Sequence, residues 1–202
     1  MMGSQSLDFF RLNLAIIEIA AATRKILFRL KIETVNLGKI LRGGDMDKDK
    51  LLEGKRILIV DDEPDVLGTL EDLLTMCVVK KASTFDQAKQ LLEDQYFDMA
   101  ILDIMGVKGY ELLEICNQKR VIGVMLTAYA VTPENIIKSY ENGAASFVPK
   151  EEMHNITTFL TDIYEAKEKG KNFWWRWFDR LADYCERKFG PDWQKKHGFK
   201  VR

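Results

Sequence analysis

Asp61, Asp62 and Glu63 directly follow the apolar run RILIV at 56–60, and Asp103 directly follows MAIL at 99–102. Thr127 follows VIGVML at 121–126, and Lys150 follows SFV at 146–148 after an intervening Pro149. Short continuous apolar runs of this kind are buried on both faces of a parallel sheet. In such a sheet, ligands bind beyond the carboxyl ends of the strands, at the switch in strand order. Carboxylates, a hydroxyl and an ammonium would therefore converge on one rim. Carboxylates that close need a cation to stay charged, and oxygen ligands with room for water suit Mg²⁺. An aspartate beside Mg²⁺, with a hydroxyl and a lysine placed to bind a dianion, is the layout for an aspartyl-phosphate intermediate.

The elements that must position these groups alternate along the centre of the chain. Arg56–Val60 reads as a strand, and Pro64 sits where the first turn of a helix tolerates it. Val66, Leu67, Leu70, Leu73 and Leu74 follow at helical spacing. Cys77–Val79 is a weaker strand, and Thr84 or Asp86 opens a helix carrying Ala88, Leu91 and Leu92. Strands are predicted over Met99–Leu102, Val121–Leu126 and Ser146–Val148, and helices over Tyr110–Cys116, Pro133–Tyr140 and Ile156–Ala166. Five strands, each followed by a helix and joined by short loops, predict one α/β doubly wound domain.

Composition sets the outer bounds. The chain has 202 residues, 47% hydrophobic and 30% charged, which excludes wholesale disorder and collagen-like classes. Three widely spaced cysteines, Cys77, Cys116 and Cys185, offer neither a disulfide framework nor a metal knuckle, and a reducing, cytoplasmic setting is expected. The longest apolar run, Leu12–Ala22, is too short to span a bilayer and carries Glu18 where a signal peptide would be apolar. Charge is unevenly distributed. Residues 1–45 carry 7 Lys/Arg against 4 Asp/Glu, residues 46–168 carry 13 against 23, and residues 169–202 carry 10 against 4. An acidic middle between basic ends implies a central domain with two appendages, and makes that middle a poor partner for nucleic acid.

The segments ILIVDDEPDV at 57–66, ILDIM at 101–105, LTAYA at 126–130 and NGAASFVPK ending at Lys150 resemble the response-regulator receiver domain of two-component signalling. The resemblance spans roughly Gly54 to Lys169. It implies a five-stranded parallel, flavodoxin-like sheet of order 2-1-3-4-5. It also implies that Asp103 is the phosphoryl acceptor. Asp61 or Asp62, with Asp103 and the backbone carbonyl of Met105, would hold Mg²⁺. Thr127 would bond a phosphoryl oxygen, Lys150 would pair with the acyl phosphate, and Phe147 would be the switch aromatic. The resemblance further implies that on phosphorylation Thr127 would be drawn inward, Phe147 would rotate into the vacated space, and the face between helix 133–142 and helix 151–168 would be remodelled. The phosphoryl donor would be a sensor histidine kinase or a phosphotransfer protein.

The sequence departs from the family pattern at two places. DIMGVKGY lacks the usual proline, and Gly109 comes six positions after Asp103 rather than eight, so the loop is short. Glu151 replaces the proline expected after Lys150, which disfavours a cis peptide there.

Plainer readings stand beside the functional ones. Asp61 and Asp62 would suit a helix N-terminus through its dipole alone. Phe147 could be plain core, and Tyr129, two residues after Thr127, is placed either to shield a phosphoryl group from water or to do nothing there. His154 and His197 lack metal-ligand company. In the tail, residues 170–202, Phe173–Phe189 reads as an amphipathic aromatic helix ended by Gly190–Pro191. It would pack on the receiver, offer a surface for a downstream protein or a homodimer, or lie on a membrane through Phe173, Trp174, Trp175 and Trp177. DNA binding is disfavoured, since no complete helix-turn-helix unit is readable. Residues 1–50 read as a helix and a polar linker. They are either a docking or dimerising element, or an over-extended start upstream of Met46. The expectation is a stand-alone receiver: a self-phosphorylating signalling switch rather than a turnover enzyme. A constitutive scaffold built on the same fold is the rival.

Overall fold

A computed structural model describes residues 50–128 and 131–199, all within the second of the two units into which the chain divides, Asp47–Arg202. The expected N-terminal helix and linker up to residue 49, and Tyr129, lie outside the described residues. Five strands, β1 (Arg56–Val60), β2 (Val78–Ala82), β3 (Met99–Asp103), β4 (Ile122–Thr127) and β5 (Ser146–Pro149), form one parallel sheet of order β2-β1-β3-β4-β5. This is the fold and strand order expected. Every residue of β3 and β5 is buried, because helices cover both faces of the sheet.

The flanking helices are α1 (Pro64–Leu73), α2 (Phe85–Asp94), α3 (Gly109–Lys119), α4 (Pro133–Glu141) and α5 (Ile156–Glu168). Their starts follow local chemistry. The Thr84 and Thr132 hydroxyls accept the backbone N–H groups of Gln87 and Asn135, and Pro64 and Pro133 occupy first-turn positions where no donor is lost. The second strand lies further along than Cys77–Val79 suggested, ending at Ala82. Its lysines are tolerated because β2 is an edge strand: Lys80 is exposed and Lys81 pairs with Glu71. Lys150–Asn155 forms a 3-10 turn before α5 begins, and no peptide bond is cis among the described residues.

The tail forms α6 (Trp175–Phe189), stopped at Gly190 with φ +83°, and a short α7 (Trp193–Lys196) that the sequence did not announce. It packs on the face formed by α4, β5 and α5. The Trp174 indole N–H donates to the carbonyl of Ala144 at 2.7 Å, and that of Trp177 donates to the carbonyl of Phe147. Arg176 and Arg180 both bond the buried carboxylate of Asp162, and Arg176 also reaches Glu165 at 3.0 Å. Tyr140 of α4 meets the edges of Trp174 and Phe199 at 5.5 and 5.3 Å. The membrane-facing assignment is therefore corrected for Trp174 and Trp177, which are 2% and 3% exposed and spend their polar edges on backbone carbonyls. Arg176 and Arg180, two of the tail's basic residues, likewise face Asp162 within the fold. No helix among the described residues is long and apolar enough to cross a membrane.

Candidate functional site

Parallel register brings the carboxyl ends of the strands level. Val60 pairs with Leu102, Asp103 with Leu126, and Thr127 with Pro149. Asp61, Asp103, Thr127 and Lys150 thus leave their strands side by side. Lys150 is the hub. Its Nζ lies 2.7 Å from Asp61 Oδ2, 2.8 Å from Glu63 Oε1 and 3.1 Å from Asp103 Oδ1, with its side chain only 10% exposed.

The two aspartate carboxylates are also held by backbone. The N–H of Glu63 donates to Asp61 Oδ1 at 3.0 Å, and those of Met105 and Gly106 donate to Asp103 Oδ2 at 2.9 and 3.0 Å. This fixes the plane of the Asp103 carboxylate and leaves Oδ1 facing Lys150. Burial raises the pKa of Asp61, with the charge of Asp103 adding to the rise, against the lowering effects of Lys150 and the Glu63 N–H. For Lys150, burial alone would lower the value, but its contacts with Asp61 and Glu63 and the charges of Asp61 and Asp103 outweigh it. The ammonium is therefore held charged well beyond neutral pH.

Thr127 is buried at the end of β4. The Asp62 carboxylate is exposed and lies over Gly106, so close that a Cβ on that glycine would fall 2.2 Å from Asp62 Cγ. Met105 is 68% exposed, its side chain turned to solvent while its backbone faces Asp103. The shortened loop closes through Gly109, where a Cβ would come 2.1 Å from the carbonyl oxygen of Asp103. Lys108, just before it, adopts the left-handed region at φ 55°.

The donor set fits a hard divalent cation. Asp61 Oδ2 is fully buried and meets the Lys150 ammonium at 2.7 Å, a cation it shares with Glu63 and Asp103. Three carboxylates on one ammonium leave negative charge in excess, which a further cation would offset. No three His, Cys, Asp or Glu side chains close into a cage of their own among the described residues. The candidate donors Asp61, Asp62, Asp103 and the Met105 carbonyl are all oxygens, the chemistry that suits a hard cation such as Mg²⁺.

The family model for the response regulator receiver domain matches residues 57–160, just over half of the chain. The chain belongs to the response-regulator receiver family. Among curated proteins, the receiver is similar to the two-component response regulator ARR12 of Arabidopsis thaliana, 29% identical over 135 residues covering 61% of this chain and 22% of that protein. It is also similar to ORR22 of Oryza sativa subsp. japonica, 31% identical over 121 residues covering 54% of this chain and 17% of that protein. The chain thus spans about a fifth of the length of such relatives. Among solved structures, a CheY-like receiver domain protein from Methanospirillum hungatei JF-1 superposes with a TM-score of 0.53 at 27% identity, covering 58% of this chain and 99% of that one. A response regulator from Chloroflexus aurantiacus J-10-fl gives 0.50 at 27% identity, covering 56% and 99%.

The structure gathers Asp61, Asp103 and Lys150 into direct contact, sets Thr127 beside them, and keeps Asp62 and Met105 at the same rim. Phe147 is fully buried, two residues before the lysine's neighbour Pro149. Sequence reasoning named Glu63 as one of the rim carboxylates but not as a partner of Lys150. It missed Gly106 and Gly109 as the positions that let the loop approach; Gly109 was noted only for its unusual spacing.

Proposed function

We propose that this receiver accepts a phosphoryl group on Asp103 from a sensor histidine kinase or a phosphotransfer protein. The observation that carries this reading is the Lys150 ammonium bridging carboxylates from β1 and β3 at the sheet's carboxyl rim. In the transfer, a carboxylate oxygen of Asp103 attacks phosphorus, the bond from phosphorus to the donor's imidazole nitrogen breaks, and the imidazole leaves with that electron pair.

This chain's residues prepare that step in distinct ways. The N–H groups of Met105 and Gly106 orient the nucleophile, Lys150 neutralises phosphoryl oxygens as they arrive, and Thr127 offers its hydroxyl to one of them. Glu63, the exposed partner, is the carboxylate free to swing away when Lys150 takes up the phosphoryl group. Asp61, Asp62, Asp103 and the Met105 carbonyl would hold Mg²⁺, which supplies charge neutralisation at the transferring group. Output would pass through a downstream protein partner.

Intact mass after incubation with Mg²⁺ and acetyl phosphate tests the reading, with Asp103→Ala alongside. A single phosphoryl adduct in the wild type and none in the variant is the expected result. No adduct from acetyl phosphate or from a histidine-kinase donor, with folding verified, would leave a constitutive scaffold as the function.

A further inference from the structure

The helix that follows Asp103 starts without the local chemistry that starts its neighbours. Thr84 and Thr132 cap α2 and α4, and Pro64 opens α1. By contrast, α3 is entered through Lys108, whose side chain caps nothing and whose backbone lies in the left-handed region at φ 55°, ψ 52°. A lysine bears a steric cost there that glycine does not. The loop before it is tight. A Cβ at Gly109 would stand 2.1 Å from the carbonyl oxygen of Asp103, and the Gly109 N–H reaches the Ile104 carbonyl at 3.4 Å. Strain of this kind persists only where the surrounding contacts over-determine it.

Tyr110 supplies that hold from another element. Its hydroxyl donates to the carbonyl oxygen of Asn135 on α4 at 3.2 Å. The same oxygen takes the hydroxyl of the buried Ser139 at 2.7 Å, and the two hydroxyls stand 3.2 Å apart. The Lys138 ammonium lies over the Tyr110 ring, 4.1 Å from its centre. The side chain of Lys108 does less. It passes 5.2 Å from the Phe85 ring and 3.8 Å from Glu111, but it is 62% exposed, where such a pair contributes little.

The loop so held carries the orientation of the nucleophile. The N–H groups of Met105 and Gly106 lie within it, fix Asp103 Oδ2 at 2.9 and 3.0 Å, and leave Oδ1 toward Lys150. Releasing the loop's end would let the strain at Lys108 relax by shifting the turn, and those two donors would shift with it.

We propose that Tyr110, through its hydroxyl on Asn135 and Ser139, is a positioning residue for phosphoryl transfer. It holds the shortened loop in its strained form and thereby keeps the Met105 and Gly106 donors on Asp103. The inference rests on Asp103 being the acceptor. Tyr110 itself acts only through the loop, from the α4 side.

The rate of adduct formation tests this, read by intact mass on the full chain with acetyl phosphate and saturating Mg²⁺, well below the Tm. Tyr110→Phe keeps the ring and removes only the hydroxyl. Its rate should fall about tenfold, short of the roughly 10²-fold that a 1 Å misplacement can cost. Lys108→Gly removes the strain that the hydroxyl opposes, so Lys108→Gly/Tyr110→Phe should recover the wild-type rate. A hydroxyl of purely structural use would lower the Tm and leave the rate unchanged, since the protein is folded at the assay temperature. An unchanged rate in Tyr110→Phe, or a lost rate that Lys108→Gly does not restore, would overturn the positioning role while leaving the acceptor assignment intact. No adduct in the wild type from acetyl phosphate or a histidine-kinase donor, with folding verified, would overturn both.

Discussion

Lys150 Nζ stands 3.1 Å from Asp103 Oδ1 and 2.7 Å from Asp61 Oδ2, so one ammonium at the end of β5 holds carboxylates from two other strands. With Glu63 also on the lysine, negative charge exceeds positive charge at this rim. A buried, unbalanced cluster of this kind gives up stability in return for a place where a cation and a phosphoryl group can bind.

Asp61→Asn should therefore stabilise the metal-free protein. Burial holds the Asp61 carboxyl above its ordinary pKa. A group raised on folding contributes fully below its unfolded pKa and loses that contribution as pH rises through the folded one. The variant's advantage in EDTA should accordingly grow from about pH 4 toward neutrality. Thermal melts should show a gain of roughly 2–4 °C at pH 7.5, what about 1 kcal/mol is worth in a domain of this size. Millimolar Mg²⁺ should raise the wild-type Tm and leave that of the variant unmoved.

Two glycines of the short loop should separate folding from metal binding. A methyl at Gly109 would meet the main-chain oxygen of Asp103 at 2.1 Å, and backbone has little room to yield. Gly109→Ala should cost roughly 1–3 kcal/mol in urea denaturation. At Gly106 the obstacle is the end of the Asp62 side chain, which can rotate away. Gly106→Ala should keep stability within about 0.5 kcal/mol of wild type. Its midpoint for Mg²⁺-dependent stabilisation should move to about tenfold higher Mg²⁺, the lower end of what a displaced ligand shell costs.

Trp177 carries both packing and a donor, and two substitutions can apportion them. Trp177→Phe keeps a ring but takes the N–H from the buried carbonyl of Phe147, for about 1–3 kcal/mol. Trp177→Ala also opens a cavity beside Trp174 and Phe178, for about 3–5 kcal/mol. Equal losses in chemical denaturation would mean that the ring contributes nothing beyond the hydrogen bond.

The cysteines should differ in reactivity. Burial pushes the thiols of Cys116 and Cys185 up to about 12, slightly opposed at Cys185 by Lys188, so almost no thiolate exists at pH 8. Cys77 is partly exposed. Iodoacetamide should label the native protein once, at Cys77, and the denatured protein at all three sites. Because both buried thiols titrate higher folded than unfolded, their contribution to stability should be complete below about pH 9 and fade toward pH 12.

The receiver fold and its rim chemistry were legible because they are written in short range. Apolar runs ending in Asp61, Asp103, Thr127 and Lys150 reveal strands and the groups at their ends together, and a parallel sheet leaves few ways of arranging them. Thr84, Thr132, Pro64 and Pro133 mark helix starts within a turn of themselves. Other contacts were not readable because they join residues far apart in the chain. Glu63 reaches Lys150 across 87 positions, and Trp174 and Trp177 each reach a carbonyl 30 positions back. The sequence by itself determined that the tail is aromatic and basic, which suits a core, a partner or a membrane alike. Only the tertiary structure shows Trp174 and Trp177 packed on the receiver, since an indole N–H finds its acceptor wherever folding brings an open carbonyl at or beside the edge strand within reach.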